Sequence, residues 1–265
     1  MPSSFPDTLQ AALMEAGVSR RRDLAKLGRR SAHSALSLSP PETLYPKGAE
    51  ILAASLLSVA PLLTSIELVD QAVRDAGCTS LANALAHNTA LTELRLEGNE
   101  LTCSGAAALA QCLSGRAPVA KSLQSLSLRS NRIKSRGAEL LMRSVSAMRL
   151  VSLDLCHNSL AGDLWPCIAA MLGGPCSITS LNLSRNRLGV VGMENIIDAL
   201  QANTALTQWD LSSCGINYHG AQCLLSALEN NSSLSQIDLQ HNAIGNNTIL
   251  RLKRALEDTR ARPPP

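Results

Sequence analysis

Aromatic side chains are almost missing from this chain: Phe5, Tyr45, Trp165, Trp209 and Tyr218 make up 2% of its 265 residues. A core of stacked rings is excluded, so the apolar 45% must pack as aliphatic side chains, mainly leucine and alanine. No apolar run approaches the ~18 residues that cross a bilayer, which excludes a helical membrane span. The first residues also lack the charged-then-apolar layout of a secretory leader. Charge of one sign is scarce as well. A net charge of +3 is too small to argue for bulk nucleic-acid binding. The eight cysteines form no C-x-x-C pair and show no metal-ligand spacing with histidine. They read as reduced structural thiols of an intracellular protein. G-x-x-x-x-G-K-[ST], H-E-x-x-H and G-x-S-x-G are all missing too, so no catalytic constellation and no cofactor is expected.

What is present is one phrase, repeated. Residues 88–113 read NTALTELRLEGNELTCSGAAALAQCL, in which Leu91, Leu94, Leu96, Asn99 and Leu101 spell L-x-x-L-x-L-x-x-N-x-L. Leu94 and Leu96 alternate like a short strand with one buried face. Asn99 stands where the strand ends, and its amide can satisfy backbone groups left unpaired there. Gly105 suits a turn or a close backbone approach, and the Ala/Leu run after it has helical spacing. The phrase restarts at Leu63, Leu91, Leu123, Leu150, Ile178, Leu206 and Leu234, at intervals of 28, 32, 27, 28, 28 and 28 residues. The asparagine position reads Gln71, Asn99, Asn131, Asn158, Asn186, Cys214 and Asn242. The glycine position reads Gly77, Gly105, Gly137, Leu164, Gly192, Gly220 and Thr248. A unit this small cannot bury its own apolar face, but stacked copies can.

This phrase resembles the leucine-rich repeat, and a period near 28 residues with a full helix resembles its ribonuclease-inhibitor-like subclass. The resemblance implies an α/β fold, a right-handed horseshoe of seven to eight strand-turn-helix units. Parallel strands would line its concave face and helices its convex face.

Around the repeats the chain divides into four parts. Residues 1–30 are expected to form a basic, helical N-terminal arm or cap, 31–62 a degenerate first repeat, 63–258 the solenoid with a C-terminal cap helix, and 259–265 a flexible tail. The eight-residue stretch Ser114–Lys121 is an insertion expected to be a surface loop. Trp165-Pro166 lies in a unit without the usual glycine, so that connection should be distorted.

Three surfaces are candidates for function. The arm carries Arg20, Arg21, Arg22, Lys26, Arg29 and Arg30 against one aspartate between Ser19 and Arg30, a local +5. The loop edge leaving the strands carries Arg129, Arg132, Lys134 and Arg136, with Arg185 and Arg187 two units on, about 10 Å away at strand spacing. Both read either as solvated charge or as docking sites for carboxylates of an acidic protein surface. The concave face is polar and small, with an acidic column at Asp154, Asp210 and Asp238 that could accept a basic segment. It has few aromatic anchors. Asn99, Asn131, Asn158, Asn186, Cys214 and Asn242 are expected to form a structural ladder. His157 and His241 fall at matching loop positions, too far apart to share a metal.

The expected role is a non-catalytic scaffold or adaptor binding protein partners, a subunit of a larger complex, with no nucleic acid and no membrane. The expected compartment is the cytoplasm, and chains resembling this one also occur in the cytoskeleton and cilium, where tubulin is an acidic lattice. An alternative is a GTPase regulator resembling the Ran GTPase-activating protein, although TRARPPP at 259–265 is unlike that family's acidic tail. A further alternative is an inhibitor-type repeat protein.

Overall fold

The computed structural model describes residues 14, 34–38, 43–59, 63–114, 117–146 and 148–261. The six cations of the basic arm lie outside these residues. Eight strands pair in sequence order into one sheet, and every pairing is parallel. They are β1 (Ser34–Leu38), β2 (Leu63–Leu68), β3 (Glu93–Arg95), β4 (Ser125–Ser127), β5 (Ser152–Asp154), β6 (Ser180–Asn182), β7 (Gln208–Asp210) and β8 (Gln236–Asp238). The central residues stay in register across the sheet, from Leu94 through Leu126, Leu153, Leu181 and Trp209 to Ile237.

Each strand returns to the next through helix. The helices are α1 (Tyr45–Val59), α2 (Arg74–Leu85), α3 (Cys103–Cys112), α4 (Val119–Ser122), α5 (Lys134–Val145), α6 (Trp165–Leu172), α7 (Ile196–Ala202), α8 (Tyr218–Leu228) and α9 (Asn246–Ala261). Strands sit about 4.8 Å apart, whereas packed helices need about 8–10 Å. Stacking units of this kind therefore bends the sheet to the inside. The leucines between the two layers form the core: Leu91, Leu96, Leu101, Leu123, Leu128, Leu150 and Leu155 are all 0% exposed.

Glycine recurs at the start of the helices because neighbouring helices approach closely there. A Cβ at Gly137 would lie 2.6 Å from Ile133 Cγ2 and 3.0 Å from Ala106 Cβ of α3. Where Leu164 takes that place, a 3-10 turn (Gly162–Leu164) precedes α6. An open groove of about 570 Å³ then separates α5 from α6, lined by Met142, Cys167 and Met171. Trp165 fills the interior behind it, 6.4 Å from Trp209 in an edge-on pair, and donates to Leu188 O at 3.0 Å.

The insertion at Ser114–Lys121 is less loop-like than its polarity predicts. Its second half enters α4, with Val119 and Ala120 buried, because the extra residues reach back over the core. At the C-terminus α9 runs past the expected boundary at 258 to Ala261.

Candidate functional site

The strand-to-helix loops are held by side-chain amides. Asn131 Nδ2 donates to Leu96 O and Leu128 O, both at 2.8 Å, while its Oδ1 accepts from Asn99 N and Leu101 N, both at 3.0 Å. Asn186 repeats the pattern toward Leu155 O, Leu183 O, Asn158 N and Leu160 N. Asn99 and Asn158 make related sets one unit away from each. Asn242 closes the run, its Oδ1 accepting from Cys214 N and Ile216 N at 3.0 Å each. At Cys214 itself a thiol donates to Leu183 O at 3.2 Å in place of the amide. Burial pushes that thiol up to about 12, against the Asn186 N–H that faces the sulfur.

Two structural columns were not read from the sequence. Asn88, Asn203 and Asn231 are buried on the opposite, helix-to-strand side. Each donates back to the preceding unit (Leu63 O, Leu172 O and Leu200 O) and accepts from the first leucine N–H of its own unit. The signal was available as N-x-x-L at 88–91, 203–206 and 231–234. The other column is conformational. Ser130, His157, Arg185, Ser213 and His241, each one residue before the asparagine position, have φ between 54° and 57°. Only Gly98 meets that left-handed requirement with glycine. Sequence reading looks for glycine at such places, and here the chain uses other residues.

The concave face is mostly occupied with itself. Arg95 lies among three glutamates, 2.9 Å from Glu97, 3.7 Å from Glu67 and 4.0 Å from Glu93. The hydrogen bond to Glu97 leads the effects that hold this guanidinium further into its charged form. In the acidic column one carboxylate oxygen of each residue builds a turn: Asp154 accepts from Cys156 N, Asp210 from Ser212 N and Asp238 from Gln240 N, at 2.8–2.9 Å. Asn182 does the same for Ser184 N at 3.0 Å. Burial leads a rise in the Asp154 pKa, and the Cys156 N–H and Arg129 oppose it. Cys156 and Ser184, whose N–H groups these turns hold, are buried at 1% and 4% exposure.

The loop edge is different. Arg129, Arg132, Lys134, Arg136, Arg185 and Arg187 are all exposed. Arg136 is paired with Glu139 at 2.8 Å, a carboxylate it shares with Arg143. The other five make no ion pair with a described carboxylate. Their backbones are nevertheless fixed by the stack. Arg132 N donates to Leu101 O at 2.7 Å, Lys134 N to Asn158 O at 3.0 Å, Arg185 N to Ser212 O at 2.8 Å and Arg187 N to Leu160 O at 2.8 Å. The two groups sit on the β4 and β6 units, with exposed His157 and Ser159 between them. The result is a row of exposed cations on a rigid edge, five of them without an ion pair to a described carboxylate, suited to a run of carboxylates.

Among the described residues no three His, Cys, Asp or Glu side chains gather as a metal site. The eight cysteines are free, and burial pushes the Cys78 thiol to about 12 and that of Cys112 to about 11. Such thiols stay protonated and unreactive at neutral pH. No helix among the described residues is long and apolar enough to cross a membrane.

Comparison with known proteins agrees with this architecture. A family model described as Leucine Rich repeat matches residues 87–110, 119–142, 174–196 and 202–225, which frame four of the units above. The mouse protein Ribonuclease inhibitor is 30% identical over 186 residues, covering 59% of this chain. The chain is a leucine-rich-repeat protein of ribonuclease-inhibitor-like type. The match spans 40% of the length of that inhibitor. The human NACHT, LRR and PYD domains-containing protein 5 is 30% identical over 151 residues, 55% of this chain and 12% of its own. Among solved structures, the tropomodulin C-terminal domain of Caenorhabditis elegans superimposes at a TM-score of 0.41 with 15% identity, over 81% of this chain and 94% of that one.

Proposed function

We propose that this leucine-rich-repeat protein is a non-catalytic scaffold or adaptor that docks an acidic protein surface on its cationic loop edge. The observation that carries the reading is the row Arg129, Arg132, Lys134, Arg185 and Arg187, exposed, on fixed backbone and without an ion pair to a described carboxylate. The concave face offers less, because its one arginine is surrounded by glutamates and its carboxylates already serve turns. The basic arm at Arg20, Arg21, Arg22, Lys26, Arg29 and Arg30 would extend the same preference. An intracellular assembly with an acidic lattice, cytoskeletal or ciliary, is the setting such charge would suit.

The test is proximity labelling in cells to name the partner, followed by co-purification with two variants. Arg129→Glu with Arg185→Glu should abolish recovery, and Asp154→Asn with Asp210→Asn should leave it intact. The opposite pattern would overturn the reading.

An inhibitor-type role has one observation in its favour, the 30% identity to a ribonuclease inhibitor. In that case the partner enters the concave face. The same pair of variants separates the two readings.

A further inference from the structure

One interruption of the repeat opens the helix side of the stack. Elsewhere glycine lets neighbouring helices close: a Cβ at Gly137 would lie 3.0 Å from Ala106 Cβ of α3, and one at Gly220 would lie 2.8 Å from Met193 Sδ. In the β5 unit that place belongs to Leu164, 1% exposed, and the turn Gly162–Leu164 stands ahead of α6. The groove of about 570 Å³ between α5 and α6 follows from this. Leu164, Met142 and Met171 are buried beneath it, and half-buried Cys167 lines it as well. The groove belongs to interior units, since β4 and β5 each have a paired strand on both sides.

Its two walls differ in charge. The sequence holds no charged residue between Asp163 and Arg185, and the exposed residues of α6 are Pro166 and Ala170. The α5 rim carries Arg136 and Arg143, whose side chains are 66% and 69% exposed. Both draw on one carboxylate, Arg136 on Glu139 Oε2 and Arg143 on Glu139 Oε1, each at 2.8 Å. Neither pairs with any other described carboxylate. A guanidinium has five donors, so each fork keeps room for a second acid. Asp163, on the turn before α6, matches Arg136 one unit on and balances that end of the groove. Past Glu139, Arg143 is the last charge that lines it.

We propose that this groove is a docking site for an amphipathic helix of a partner protein, with an apolar stripe toward the two methionines and a carboxylate toward Arg143. Charge selects the occupant. A carboxylate completes the half-used arginine fork, which suits planar acids, whereas a lysine on the same flank would meet like charge. The uncharged α6 wall asks only for aliphatic contact. Consecutive helices form the walls, the geometry of helix-in-groove recognition, read by anchors at i, i+3, i+4 and i+7. Methionine side chains adapt to such anchors. The proposal stands apart from the loop-edge reading, because none of Arg129, Arg132, Lys134, Arg185 and Arg187 lines the groove.

The test uses the full chain with isotope-labelled methionine methyl groups, observed by NMR. A helical peptide of about 18 residues is titrated in, with leucine along one face and glutamate on the flank beside it. The expected result is saturable shifts of Met142 and Met171, while Met193, 0% exposed in another unit, stays in place and reports an intact fold. A twin peptide with lysine for glutamate should bind about tenfold more weakly. Arg143→Glu should remove that preference, and the milder Arg143→Gln should reduce it. Four results would overturn the inference: no shift at Met142 and Met171, equal binding of the two peptides, a preference untouched by either variant, or shifts that grow with protein concentration alone. The last would assign the groove to a second copy of this chain.

Discussion

At Cys214 the asparagine ladder has a rung of sulfur. The thiol reaches Leu183 O, but it offers one weak acceptor to Asn186 N, and Leu188 N has no partner among the described residues. Replacing it with the amide should restore both bonds. Cys214→Asn is expected to raise stability by about 1 kcal/mol in urea melts, and a loss would show that the site cannot seat the amide. Asp154 makes a second residue-level case. Its carboxyl pKa is raised in the fold, chiefly by burial, so its contribution is favourable below the unfolded pKa and is lost as pH rises through the folded value. Asparagine keeps the acceptor for Cys156 N without the charge. Asp154→Asn should therefore stabilise at pH 7, with the gain shrinking to nothing under acid. Thermal melts across that range give the answer; a pH-independent loss would mean that the charge itself is structural.

Among the elements, the strands and helices were legible because leucine spacing states them directly: Leu94 and Leu96 give β3, and the Ala/Leu run after Gly105 gives α3. The loops were legible only in part. The asparagine position stood out, but the left-handed residue before it did not, since His157 and Arg185 carry no mark of that conformation. Asn88, Asn203 and Asn231 were passed over because polar residues after a helix look like ordinary connections, although their amides bind one unit to the next. Glycine meaning was also ambiguous. At Gly137 the requirement is close packing of α5 on α3, not a turn. Gly137→Ala should cost about 1–3 kcal/mol through overpacking, and a neutral change in chemical denaturation would show that the helices can part. The candidate site was legible as a list of cations. Which of them pair with a described carboxylate was not, because pairing such as Arg136 with Glu139 depends on the fold.

At the scale of the molecule, the eight described strands follow one another in a single parallel sheet, which makes stability a property of the stack. Leu126 and Leu181 lie in interior strands at 1% exposure each. Either replacement by alanine should cost about 2–5 kcal/mol. Losses below about 1 kcal/mol would contradict their burial. The distribution of charge over the same stack carries the functional claim. Cations without an ion pair to a described carboxylate stand on the loop edge, while Arg95 inside the curve is spent on glutamates. The most direct measurement is a binding titration of the labelled partner against the purified full chain at rising salt. The account predicts affinity that falls steeply as salt screens exposed charge, a much shallower slope for Arg129→Glu with Arg185→Glu, and an unchanged slope for Asp154→Asn with Asp210→Asn. A slope that only the concave pair alters would contradict it.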